Sequence, residues 1–339
     1  MSLKQELSII IPIDLSRRGK DILNRIILII ELAKTTNYNI IFGHNDRNTD
    51  LDKEFKNIIN KNENVYLSSF KDININLSKL RNEAFKLVST EYLLLLDIDI
   101  YLDTDTINKM LQRVKENKTF DMLPCVYLGE KATKRYISKK SNSNQLLERY
   151  FKDINYYEDI MHIAIPSSII LLKSEDYNKL KGFDENFIGH GYEDFDFMIR
   201  LSLLYNRIQT NADLLSDKTY KSPMNSIGFR SELGKLTISN IIEKNYMFHL
   251  FHKKENQEDY YLKREINKKV FEKKLKEIIS GKERTKTLLE AFQDECIKSD
   301  NNIKNYEALI CETKNTPTGY KLFKRRLNKR IREIVKKFK

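Results

Sequence analysis

Tryptophan is absent from this chain of 339 residues, and cysteine, proline and histidine are scarce at three, five and five. Cys125, Cys296 and Cys311 are odd in number and show no CxxC spacing, which argues against a disulfide framework and a structural zinc site. No apolar run reaches the 18 residues that a membrane-spanning helix needs. The opening Met-Ser-Leu-Lys-Gln-Glu-Leu holds no stretch resembling a signal peptide, so the expected location is cytoplasmic. A Gly-rich dinucleotide fingerprint and a Walker A sequence are also missing, as are internal repeats and low-complexity linkers. The abundance of Lys, Asn and Ile is a compositional bias without functional content.

What is present begins with Tyr92-Leu93-Leu94-Leu95-Leu96-Asp97-Ile98-Asp99, an apolar strand pattern closed by two carboxylates spaced i, i+2. On a buried strand side chains alternate between faces, so Asp97 and Asp99 are expected on one side, able to share a divalent cation with a phosphate ligand. A second signal is Gly-Phe-Asp-Glu-Asn-Phe-Ile-Gly-His-Gly-Tyr-Glu-Asp-Phe-Asp-Phe at 182–197. Five carboxylates, Asp184, Glu185, Glu193, Asp194 and Asp196, lie among three glycines and four phenylalanines. The glycines permit positive φ and close backbone approach, and the phenylalanines anchor the loop to a core. An acidic loop that only faced water would not need so many large apolar anchors.

Upstream, strand and helix patterns alternate. Ser8 to Pro12 reads as a first buried strand, Asp21 to Thr35 as a helix with Ile22, Ile26, Ile29, Ile30 and Ala33 on one face, and Asn39 to Gly43 as a second strand. Val65 to Leu67 reads as a third strand, Leu77 to Val88 as a helix carrying Arg81-Asn82, and the fourth strand ends at Asp97. This βαβ alternation predicts an α/β fold with a mostly parallel sheet flanked by helices, and ligands at the carboxyl ends of its strands.

The paired aspartates, the Arg-Asn pair and the Gly-Phe-Asp leading into His190-Gly191-Tyr192-Glu193-Asp194 together resemble the family 2 glycosyltransferases of GT-A fold with a galactosyltransferase-type C-terminal motif, including bacterial capsule and chondroitin-type enzymes. The resemblance covers about residues 7–255. It implies inverting transfer from a UDP-sugar to a glycan or glycolipid, with Mn²⁺ or Mg²⁺ on the diphosphate. By matching the second acid of the motif, Asp194 is the expected base, with Glu193, Asp196 and Tyr192 toward the acceptor. Asp99 and Asp97 are the expected metal ligands, with a downstream His as a third. His252, followed by Lys253-Lys254-Glu255-Asn256, fits the family's pattern better than His249. Asp97 also counts among the donor residues, with Asp14 and Asp46 at the uridine end and Arg17, Lys79 and Arg81 on the phosphates. Two departures stand out: the Trp that usually opens the acidic loop is missing, and Ile13 to Arg18 replaces the commoner Thr-Tyr-Asn.

From Asp259 onward the chain is highly charged and helical in pattern, so a catalytic domain is expected over 1–258, its donor half about 1–105 and its acceptor half about 106–258, and a basic helical region over 259–339. Residues 321–339 hold ten lysines and arginines against one glutamate, most of the chain's net charge of +12. Phe323, Leu327, Ile331, Ile334, Val335 and Phe338 form one apolar face there. Such a helix suits an anionic membrane surface, here the inner face of the cell membrane, better than a nucleic acid. Packing of that face on the protein or on a second subunit stays open. So do two other classes: a sugar nucleotidyltransferase, which normally has a Gly-rich first loop where this chain has only Gly19, and a non-enzymatic basic protein binding membranes or nucleic acid.

Overall fold

The computed structural model describes residues 5–138, 147–148, 151, 159–218, 222–253, 258–280 and 286–311. Strand β1 (Leu7–Ile13) is central, and α1 (Asp21–Ala33) leads to β2 (Tyr38–Asn45), α2 (Asp50–Ile59) to β3 (Val65–Phe70), and α3 (Leu77–Phe85) to β4 (Tyr92–Leu95). These four strands run parallel in the order β3-β2-β1-β4. Helix α4 (Thr104–Asn117) follows, then the short β5 (Asp121–Met122), β6 (Cys125–Leu128), α5 (Glu130–Ile137), β7 (Ile160–Ala164) and β8 (Ile170–Lys173). β8 lies antiparallel to β4 and carries β5 on its other edge, completing six strands. The mixed, mostly parallel α/β sheet flanked by helices is the fold class that the sequence led us to expect.

Both faces of the sheet are covered, which explains the continuous apolar runs. Ile9 and Ile11 join a core with α1, α2 and α4, while Ile10 between them joins a second core with Leu93, Leu95 and Ile170. All three isoleucines have 0% exposure, each stabilising the sheet by about 1.5–3 kcal/mol. Helix α3 lies tight against β2, where a Cβ on Gly43 would sit 2.0 Å from the Leu80 carbonyl oxygen. Only glycine fits there.

After α6 (Ser174–Lys179) and the acidic loop comes α7 (Glu193–Leu204), then β9 (Asp217–Lys218) and β10 (Ile227–Gly228), which pair, and α8 (Phe229–Lys235), α9 (Ile238–Ile242) and β11 (Met247–His249). β11 and β7 flank β6 in a second, three-stranded sheet. The charged C-terminal region supplies α10 (Glu258–Ile278), α11 (Leu288–Lys298) and the short α12 (Glu307–Ile310). Phe271 and Leu275 of α10 share the second core of the six-stranded sheet. Leu288, Phe292, Cys296 and Leu309 share a third core with Val126, Ile163 and Phe248 of the three-stranded sheet. No described helix is long and apolar enough to cross a membrane. The tail 321–339 lies outside the described residues.

Candidate active site

β4 stops at Leu95, two residues before the first aspartate. Leu96 still donates to the Ile10 carbonyl, but the Ile100 amide then bonds the Asp97 carbonyl at 3.0 Å, closing a tight turn over 97–100. That turn ends the two-residue alternation. Asp97 accepts from Arg81 Nη2 at 2.9 Å and Ser168 Oγ at 3.0 Å. Asp99 is 6% exposed and accepts both guanidinium nitrogens of Arg18, at 2.6 and 3.0 Å. The two carboxylates are thus held by different partners, Arg81 and Ser168 for Asp97 and Arg18 for Asp99.

The segment after the turn explains how residues 150 positions downstream reach Asp99. Tyr101 donates to the Phe248 carbonyl at 2.9 Å, and Leu250 to the Asp99 carbonyl at 2.8 Å, which lays 99–101 antiparallel against 248–250. Arg25 of α1 then bonds the Phe251 carbonyl at 2.9 Å and fixes the next residues. As a result the ligating atoms of Asp99, His249 and His252 all lie within 4.8 Å of one another. Both downstream histidines reach the site, so the choice between them does not arise. Asp97 is not a member of this group.

The donor chemistry of this group fits a divalent cation. The Nδ1 of His252 lies 3.1 Å from the Lys253 carbonyl, which can only accept, so Nδ1 carries the proton and in the neutral ring Nε2 presents its lone pair to Asp99 Oδ2 at 3.5 Å. Burial lowers the His249 pKa to about 4, keeping that ring neutral, as ligation requires. Burial alone would raise Asp99, but Arg18 outweighs it and holds the carboxyl below its ordinary value. One carboxylate and two imidazoles suit a transition ion such as Mn²⁺ better than Mg²⁺, which prefers oxygen ligands. Another group, His44, Asp46 and Asp52, is closed by its own contacts. His44 bonds Asp52 at 2.8 Å and Ser69 at 2.9 Å, and Asp46 is paired with Lys56.

Opposite the aspartate turn stands the acidic loop. Asn82 of α3 holds its start, donating to the Phe183 carbonyl and accepting from the Phe183 amide, both at 2.9 Å, and Asn76 donates to the Glu185 carbonyl at 2.8 Å. Tyr192, left-handed at φ 75°, sets the N-terminus of α7, so that Glu193 and Asp194 open the helix. Arg81, 3% exposed, lies between the aspartate turn and this helix end, bonded to Asp97 with Nη1 4.0 Å from Glu193 Oε1. Burial opposes the Arg81 charge, but the surrounding carboxylates outweigh it and raise its pKa.

The acids respond in the opposite sense. Burial, then the charge of Asp194, pushes Glu193 up to about 8, and burial also raises Asp194, with Arg81 opposing. Glu193 Oε2 and Arg81 Nη1 are buried without a hydrogen-bond partner, so both can bond a further group. Asp194 is half-buried while its neighbours on either side are buried, and its Oδ1 accepts from the Phe195 amide at 2.9 Å.

Asp14 accepts from Asn45 at 2.7 Å and from Arg47 at 3.0 Å at the end of β1. Lys79 pairs with Asp72 at 2.9 Å. Asp196 is 3% exposed and pairs with Arg200 at 2.8 Å and Lys274 at 2.5 Å. Tyr192, also 3% exposed, gives its hydroxyl to Asp217 at 2.6 Å and its ring to Arg264 and Phe271. These contacts turn both residues toward the C-terminal helix. The Arg17 side chain lies outside the described residues. Arg18, Ser168 and His249 are the site residues that the preferred sequence assignment passed over. Spacing did not mark the first two, and only a register between 99–101 and 248–250 could have promoted the third.

The model of the glycosyltransferase-like family 2 matches residues 8–277, most of the chain. Among solved structures, Staphylococcus aureus TarS 1–349 is 17% identical over 58% of this chain and 55% of that one, with a TM-score of 0.37. The chain thus spans about half of that structure's length. The same TarS fragment in complex with UDP gives 16% identity, 58% and 55% coverage and a TM-score of 0.36. The catalytic domain of Drosophila β1,4-galactosyltransferase 7, in complex with xylobiose, is 12% identical over 84% and 83%, with a TM-score of 0.35. No curated protein sequence matches.

Proposed function

The chain belongs to the glycosyltransferase-like family 2, and from that premise we propose an inverting, metal-dependent transfer of a sugar from UDP to a growing surface polysaccharide or glycolipid. The observation that carries this reading is the buried Arg81, which joins the aspartate turn to the Glu193-Asp194 helix end at the carboxyl edge of the parallel strands. This supports a reading in which the proposed donor and acceptor groups share the edge where open α/β sheets bind ligands.

In the proposed reaction the acceptor hydroxyl oxygen attacks the anomeric carbon as the bond to the diphosphate oxygen breaks and its electron pair leaves with the UDP. Asp194 takes the hydroxyl proton. Its burial-raised pKa makes it a stronger base than an ordinary aspartate while Arg81 keeps it ionisable. Glu193 holds the acceptor hydroxyl through its unpartnered oxygen. Asp99, His249 and His252 would hold Mn²⁺, which when bound supplies Lewis-acid stabilisation of the diphosphate leaving group. Asp97, fixed by Arg81 and Ser168, faces the donor sugar or ribose, and Asp14 with Arg47 forms the uridine end. Capsule or lipopolysaccharide synthesis on the inner face of a membrane, with residues 321–339 on the anionic surface, is the setting that suits this reaction.

Calorimetric titration of UDP with and without Mn²⁺, repeated on Asp99→Ala and Asp194→Asn, tests the reading. Wild type should bind UDP only with metal. Asp99→Ala should lose that binding, and Asp194→Asn should keep it while losing transfer. Equal loss of UDP binding in both variants would refute the assignment of roles, and metal-independent UDP binding by wild type would refute the metal site.

A further inference from the structure

The acidic loop is gripped from two sides. Asn82 of α3 and Asn76, which caps that helix, hold one. The other belongs to α10, in the charged region that sequence composition set apart. Asn267 is 2% exposed, and its side-chain amide nitrogen reaches three loop carbonyls, Ile188 at 3.1 Å, His190 at 3.3 Å and Gly191 at 3.1 Å. One helix face follows the loop along its length. Lys263 packs on Gly189, where an added Cβ would meet its Cβ at 2.9 Å, and Arg264 lies over the Tyr192 ring at 5.0 Å. Phe271 touches that ring at 5.5 Å, and Lys274 pairs with Asp184 at 2.7 Å and with Asp196.

These contacts converge on backbone that holds its shape only under constraint. Gly189 and Gly191 stand at φ +86° and +88°, and Tyr192 follows at φ 75°, a conformation a non-glycine residue adopts at a cost. The next two residues are Glu193 and Asp194. Carbonyls turned inward by such a bend need donors, and Asn267 supplies them from a single buried amide.

We propose that Asn267 is a positioning residue for the transfer reaction. By bonding the carbonyls of 188, 190 and 191 it fixes the left-handed bend that aims Asp194, a positioning role that belongs to Asn267 and not to the core side of α10. The proposal rests on the transferase reading of this site. A displacement of about 1 Å at a reacting group costs up to about 100-fold in rate, so an effect in kcat is expected without direct substrate contact.

The test uses the full chain with Asn267→Leu, which removes the donors at similar volume, and Val270→Ala, which loosens the same helix on its core side. Turnover of the UDP-sugar that wild type accepts, UDP affinity with Mn²⁺, and hydrogen exchange over 186–195 are measured on folded protein. Asn267→Leu should lower kcat by about 10- to 100-fold with UDP affinity within about twofold, and should speed exchange over 188–194 by about tenfold. Val270→Ala should retain kcat. Wild-type kcat in Asn267→Leu, unchanged exchange over 188–194, or an equal kcat loss in Val270→Ala would overturn the proposal. If wild type turns over no UDP-sugar, the transferase reading fails and the positioning role with it. Faster exchange confined to 188–194 would in that case still establish the grip of Asn267 on the loop.

Discussion

Replacing Glu193 by Gln should stabilise this protein, by an amount that grows with pH. Glu193 is 6% exposed, one of its oxygens has no hydrogen-bond partner, and its nearest cation, Arg81, is 4.0 Å away and already bonded to Asp97. Its pKa stands at about 8 against an ordinary 4.5, so the folded protein holds this proton more tightly than the unfolded chain. The stability associated with the proton is therefore fully present below pH 4.5 and is lost as pH rises toward 8, because over that interval unfolding releases a proton. At 1.36 kcal/mol per unit, the loss grows to the order of a few kcal/mol between pH 7 and pH 8. Glutamine has nearly the same shape as the protonated acid and does not ionise. Urea unfolding of wild type and Glu193→Gln at pH 5, 7 and 8.5 measures the difference directly. The two proteins should be nearly equal at pH 5, and the variant should lead by several kcal/mol at pH 8.5 while transfer is impaired. A difference independent of pH, or a less stable variant at pH 8.5, would refute the view that burial and the adjacent Asp194 keep this acid neutral.

The metal assignment predicts that His249→Ala and His252→Ala each weaken Mn²⁺ binding in the presence of UDP by at least about tenfold, whereas His44→Ala lowers stability and leaves Mn²⁺ affinity unchanged; manganese titration followed by electron paramagnetic resonance distinguishes them. Gly191→Ala should destabilise the protein by about 1–3 kcal/mol in thermal unfolding, because a left-handed position acquires a side chain against Arg264. Deleting 321–339 should leave UDP binding intact and reduce sedimentation with anionic vesicles; unchanged sedimentation would remove the membrane role assigned to that segment.

Sequence alone determined what local pattern can determine. The mainly apolar runs Ser8 to Pro12, Asn39 to Gly43 and Tyr92 to Leu96 are strands or strand ends because a parallel sheet covered on both faces favours near-continuous apolar side chains. The isoleucine face of α1 came from its period, and the acidic loop was marked by glycines and phenylalanines that only an anchored bend would need. Tertiary structure decided which of these groups meet. The turn at 97–100 gave the two aspartates different partners, and the antiparallel pairing of 99–101 with 248–250 brought both histidines to Asp99. Arg18 took the Asp99 pairing, and its neighbour in sequence, Arg17, carries no mark in the pattern that tells the two apart. The charge-rich composition after Asp259 concealed the face of α10 formed by Asn267, Phe271 and Lys274, since hydrogen bonds to loop carbonyls leave no periodic signal. Strand and helix follow from short-range sterics and burial periodicity, which one segment carries by itself. The partners of a buried charge are set by contacts between residues far apart in the chain, and those exist only once the fold has formed.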